Sequence, residues 1–222
     1  MTENIDYKQF LLETKYCDIN DPEIINITKD ITRKCNGDDI CSAIQIFNWV
    51  RDRIKYSFDF WNIKASETLK KKSGMCANKA NLQIAMLRSV GIPAGYMVLR
   101  INKDAIRAIA TDELYEKSSD IIIHVYCCVM LNGNWIGADA SVDRDLYDAA
   151  YIYVPGWEYI EWNGRDHIHL PDNYIVDVSG PFANIDEYMD MPHRFMTDDI
   201  VYRSNCFIDE LRAKARIVIG EV

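Results

Sequence analysis

Ile121 to Leu131 is an eleven-residue run that is apolar throughout except for His124. A strand shielded on both faces reads as a continuous apolar run, so this segment belongs inside a sheet. It is too short to cross a bilayer as a helix. Asn132-Gly133 follows at once and is a strong hairpin turn signal, with Asn134 to Ser141 as the returning strand. A two-residue turn makes His124 face Ser141, Tyr126 face Asp139 and Ile122 face Asp143. Asp139 and Asp143 are then both diagonal same-face neighbours of His124, within side-chain reach.

Helices precede this hairpin. Asp21-Pro22 is an N-cap and first-turn pair, and Ile24, Ile25, Thr28, Ile31 and Cys35 follow at helical spacing until Gly37. A second helix starts at Asp38 or Asp39, with Ile40, Ala43, Ile44, Phe47, Val50 and Ile54 as its buried stripe. The aromatic linker from Tyr56 to Leu69 shows neither period. A third helix runs from Cys76 to about Val90, where Gly91 and Pro93 stop it. Gly95 to Ile101 reads as a strand, and Asn102 to Asp120 as a polar loop with room for a short helix. Further on, Tyr151 to Val154 and Tyr174 to Val178 are strand-like, and a last helix runs from Ser204 toward Arg216. No repeat or linker divides the chain. The expected organisation is one α+β domain over 1–222, with N-terminal helices packed on an antiparallel sheet. Within it, 1–60 is the helical part, 61–143 the core and 144–222 an extension that shapes the site.

The chain has 222 residues, 49% hydrophobic and 27% charged, enough to bury a core without staples. Its net charge of −9 argues against a nucleic-acid binder. The acidity is local: 17 acids and 7 bases from Asp139 onward, against 17 and 18 before it. An acidic extension is a solvated face that also favours a cationic amine over an acidic substrate. The start lacks a basic region and an apolar run, and seven cysteines are an odd number. The expectation is a cytoplasmic protein with reduced thiols, without membrane partners. Cys35 and Cys41 are expected to pack on helix faces, and Cys127 and Cys128 in the core. No nucleotide-binding glycine motif appears, and no cofactor is expected. His167 and His169 have metal-like spacing but no third ligand, so they read as a surface loop without metal.

Cys76 stands at a helix start after Gly74. Exposed N–H groups and the helix dipole stabilise an anion at such a position, which favours a thiolate nucleophile. A thiolate needs a base, and the base needs an orienting carboxylate. His167, His169 and His193 lie in irregular segments. His124 alone sits on a central strand, with Asp139 or Asp143 to orient it.

The segments Gly74-Met-Cys76-Ala-Asn-Lys-Ala80 and Leu87-Arg88-Ser-Val-Gly91-Ile92-Pro93-Ala94 resemble the nucleophile helix of the transglutaminase-like superfamily. His124, the hairpin Asn132-Gly133-Asn134-Trp135 and Asp139-Ala140-Ser141 resemble its second element. The likeness covers about Ile40 to Asp143. Tyr126 departs mildly, standing where the family often has Trp. The resemblance implies a papain-like Cys-His-Asp triad of Cys76, His124 and Asp139, and so selects Asp139 over Asp143. It implies acyl transfer through a Cys76 thioester, with the Cys76 N–H and a side chain, Trp61 or Tyr56, as oxyanion donors. Superfamily members take part in small-molecule biosynthesis. The expected reaction is therefore amide formation between an acyl donor, small or bound to an acyl or peptidyl carrier protein, and an amine. A cysteine peptidase or amidase is the alternative, and a non-catalytic binding protein on a degenerate fold the second.

Overall fold

The computed structural model describes residues 7–191 and 196–219, so His193 lies outside the described residues. Helix α1 (Pro22–Thr32) starts where the Asp21 carboxylate accepts from the N–H groups of Glu23 and Ile24. Helix α2 (Asp39–Arg53) starts on Asp38, which accepts from Cys41 N–H at 2.8 Å. Asn36 and Gly37 adopt left-handed φ angles of 52° and 83° in the turn between them. That turn brings Cys35 and Cys41 to a Cα separation of 5.5 Å, and they form a disulfide. The expectation that every cysteine is a reduced thiol fails for this pair: spacing alone concealed a turn tight enough to bridge them.

Strand β1 (Lys55–Tyr56) follows, then α3 (Ala65–Lys71), which overlaps the end of the linker that showed no period. Strand β2 (Ser73–Gly74) pairs in parallel with β1. Helix α4 (Cys76–Ser89) is next, and all its side chains from Cys76 to Arg88 are buried. Gly91, at φ 83°, terminates it, with Ile92 N–H donating back to Leu87 O at 3.1 Å. Arg88 explains the motif at this corner. Its guanidinium donates to the carbonyls of Ala94, Leu12 and Ala183 at 2.6–3.0 Å, joining helix, sheet and N-terminal segment.

Strand β3 (Ala94–Asn102) leads to α5 (Asp112–Lys117), β4 (Ile121–Leu131) and β5 (Asn134–Ala138). A short α6 (Arg144–Leu146) continues as a wide turn through Tyr151, so the strand expected at Tyr151 to Val154 is absent there. Tyr151 is buried and Tyr153 fully outside, which is a turn wrapping the core and not a ladder. Strand β6 (Ile175–Phe182), α7 (Asp186–Met189) and α8 (Asp198–Ile219) complete the described chain, α8 starting earlier than Ser204.

The main sheet has the order β5-β4-β3-β6 and is antiparallel throughout, which makes the apolar strand β4 internal as expected. Val125, Cys127 and Val129 of β4 join α2 and α4 in the main core. Tyr126, with Leu99 and Ile101 of β3, packs on the other face against Leu170. The architecture is α+β, with helices on one face and the chain after α6 covering part of the other. Among the described residues no helix is long and apolar enough to cross a membrane.

Candidate active site

Cys76 is the first residue of α4 and its thiol is buried. Asn78 fixes this helix start. Its side-chain oxygen accepts from Met75 N–H at 3.0 Å, and its amide donates to Phe60 O at 2.9 Å. The approach is so close that a Cβ on Gly74 would lie 2.7 Å from Asn78 Cβ, so the residue two before the cysteine has no side chain. Sequence reasoning missed Asn78, although an amide at the third helical position is a capping signal.

His124 sits on β4 opposite Leu99 of β3. Its Nε2 meets Asp139 Oδ2 at 2.7 Å, both side chains being largely buried. The other Asp139 oxygen accepts from Ser141 N–H at 3.0 Å. Burial works against the imidazolium, but the Asp139 charge and the neighbouring Cys76 raise the His124 pKa to about 10. Burial likewise works against the Asp139 carboxylate, yet His124 and Ser141 hold it below the usual range. His124 and Cys76 line one cavity, and Asp139 bonds His124 from the other side, so the structure brings Cys76, His124 and Asp139 together.

The hairpin register holds from Leu131–Asn134 to Cys127–Ala138 and then stops. Asp139 therefore does not pair with Tyr126. Its N–H donates to Ile168 O at 3.0 Å, and Ile168 N–H donates to Gly137 O at 3.0 Å. The returning chain switches partner at Ala138, and that switch sets Asp139 beside His124. Asp143, the other diagonal candidate, does something different. It is fully buried, caps α6, and accepts from Tyr56 N–H and from Arg212 of α8, both at 2.7 Å.

Tyr56 and Trp61, the two expected oxyanion donors, are buried and line the Cys76 cavity. Burial, with the neighbouring Cys76, Tyr151 and Asp139, pushes the Tyr56 pKa well up, which keeps its hydroxyl protonated as a donor. Lys79, one turn after Cys76, is also buried. Its ammonium donates to Arg51 O at 3.1 Å, and burial lowers its pKa to about 8 against the pull of Asp143, Asp52 and Asp139.

Two cavities flank the cysteine and histidine. One of about 350 Å³ holds Cys76 and is walled by apolar side chains. The other, about 370 Å³, lies on the Asp139 side. Tyr56, Ile101, Ile106 and His124 line both. The wall of the second comes largely from the extension, including Tyr151 and Trp157, whose rings stack at 3.9 Å. His167 and His169, expected in a surface loop without metal, are part of this wall. His167 Nδ1 accepts from Gly137 N–H at 3.0 Å, and the His169 ring meets Leu170 O at 2.7 Å. Among the described residues no cluster of His, Cys, Asp and Glu has the makings of a metal site.

No curated protein matches the sequence. Among solved structures, a proposed cysteine protease from Cytophaga hutchinsonii aligns at 22% identity with a TM-score of 0.48. The alignment covers 63% of this chain and 43% of that one, so this chain spans less than half the length of that protein. The family model of the transglutaminase-like superfamily matches residues 25–140, which run from within α1 through α4 to one residue past Asp139. On that match, covering more than half of the sequence, the chain belongs to the transglutaminase-like superfamily.

Proposed function

We propose that this protein is an acyltransferase that forms an amide through a Cys76 thioester. The observation that carries the reading is the His124–Asp139 pair, bonded at 2.7 Å beside Cys76 and set between two cavities. With its pKa near 10, His124 is an imidazolium at neutral pH and supports a thiolate partner. The Cys76 sulfur attacks the donor carbonyl, and the departing group takes the His124 proton. An amine then attacks the thioester and gives its proton to the neutral imidazole. The S–C bond breaks as the C–N bond forms, and the thiolate returns. The Cys76 N–H and the Tyr56 hydroxyl or Trp61 indole serve the oxyanion, and Asp139 orients the imidazole.

The second cavity favours transfer over hydrolysis, because it gives an amine a place to bind beside the same histidine. The extension from 144 shapes that cavity, and its exposed acids Glu158 and Asp172 suit a cationic amine. A carrier-bound thioester is one form of donor, in small-molecule biosynthesis.

The test is to trap the acyl-enzyme by intact mass, then offer amines against water. Amide products that compete with free acid are expected. Free acid alone with every amine tried would sink the transfer reading and leave a peptidase or amidase. If a thiol probe modifies Cys76 no faster than Cys17 or Cys206, the chain is instead a binding protein on the enzyme fold.

A further inference from the structure

The walls of the Cys76 cavity bear on the acyl group itself, an inference that rests on the acyl-enzyme reading above. Most of the lining is apolar, with Phe58, Met75, Leu114, Ile121, Ile123 and Met196 among it. Beyond Cys76, His124 and the polar edges of the aromatic rings, its polar side chains are Asp59, Ser118 and Ser119. Asp59 is committed to Lys71 and to Phe60 N–H, the latter at 2.9 Å. The Ser118 hydroxyl donates to Leu114 O at 2.7 Å. No lysine or arginine lines this cavity among the described residues. Among the described residues a carboxylate on the acyl chain would meet no cation here but the His124 imidazolium, which gives up its proton to the departing group, and it would face Asp59. An uncharged chain would instead remove apolar surface from water on both sides. The methionines give walls that adapt to chain length and branching.

We propose that Cys76 accepts a neutral, apolar acyl group of medium length, aliphatic or arylalkyl, and rejects acyl groups that carry a carboxylate. Formation of the acyl-enzyme makes the Cys76 S–C bond and breaks the bond between the carbonyl carbon and its leaving group, which departs with the electron pair.

The experiment uses p-nitrophenyl acetate, butyrate and hexanoate and mono-p-nitrophenyl glutarate. Acylation of the full chain is followed by nitrophenolate release and by intact mass, with each rate divided by that of the ester with free cysteine. About threefold to fourfold per added methylene is expected, or on the order of a hundredfold from acetate to hexanoate. Glutarate should lag hexanoate by roughly tenfold or more. Met196→Lys, which adds a cation to the wall, should shift the glutarate-to-hexanoate ratio upward by up to about fivefold. Circular dichroism shows whether that variant folds, and the wild-type series is decisive without it. Acylation of Cys76 that ignores chain length, or prefers glutarate, would overturn the apolar assignment while leaving the acyl-enzyme intact. No adduct from any ester would overturn the acyl-enzyme reading and this inference with it.

Discussion

Replacing Lys79 with Met isolates the cost of a buried charge next to the site. Lys79 is almost fully buried, and burial lowers its pKa from 10.5 to about 8. That fall already includes the attraction of Asp143, Asp52 and Asp139 and the repulsion of Arg212. A shift of this size disfavours the ammonium in the folded state by about 3 kcal/mol. The sign follows from proton binding. Between pH 8 and 10.5 the unfolded chain holds a proton that the folded chain has released, so stability rises with pH across that window. Below pH 8 the whole cost is present; above 10.5 it is gone. Methionine matches the length of lysine and removes the cost, but deprives Arg51 O of its donor, a loss of about 1 kcal/mol. Lys79→Met should therefore be about 2 kcal/mol more stable than wild type at pH 7, and no more stable than wild type by pH 10.5. Urea unfolding at pH 7, 9 and 10.5, at constant ionic strength, measures the difference through the midpoint at unchanged m. A variant less stable than wild type at pH 7, or a difference that stays constant with pH, would refute the reasoning.

Three further outcomes are expected. Asp139→Asn removes the charge that holds His124 protonated, so the alkaline limb of Cys76 alkylation, near pH 10 in wild type, should move down by more than one pH unit. The raised His124 pKa stabilises the fold fully below pH 6.5, and that contribution is lost as pH rises through 10. Asp139 loses its own charge in strong acid, so the variant's stability deficit should be largest between about pH 4 and 6.5 and shrink toward pH 10, and a deficit that grows with pH over that range would contradict it. Arg212→Ala leaves Asp143 fully buried without its hydrogen-bonded cation, with Lys55 at 3.7 Å and Lys79 as the remaining positive charges nearby, and should cost about 3 kcal/mol in urea unfolding. Thiol titration in denaturant without reductant should find five thiols, and seven after reduction, with Cys35 and Cys41 the added pair.

The parts of the fold that sequence carried are those with local signals. The Asn132-Gly133 hairpin, the capped ends of α1 and α4, and the internal strand β4 each depend on residues a few positions apart. From them Cys76, His124 and Asp139 can be named, and the family resemblance chose between Asp139 and Asp143. What was illegible depends on distant partners. Helix α3 has only Ala65, Thr68 and Leu69 as buried residues, too few to show a period. Asp139 is placed by Ile168, about thirty residues on, and not by the strand opposite it. The disulfide needed the left-handed turn at Asn36 and Gly37, and asparagine with glycine is the one hint the sequence offers. Tyr151 to Val154 is rich in strand-forming side chains but pairs with nothing, because packing overrides propensity.

Helix α8 also sets an order in time. Asn205 holds Phe58 by both its N–H and its carbonyl, and Arg212 holds Tyr56 O. These contacts join residues 147 and 156 positions apart. On the ribosome, at roughly 5 to 20 residues per second, the edge that carries Tyr56 waits about 7 to 30 s for its clamp. A nascent chain passes through that interval with Cys76 made and its surroundings unfinished. Helix α8, made well after Cys76, thus finishes the wall next to that thiol.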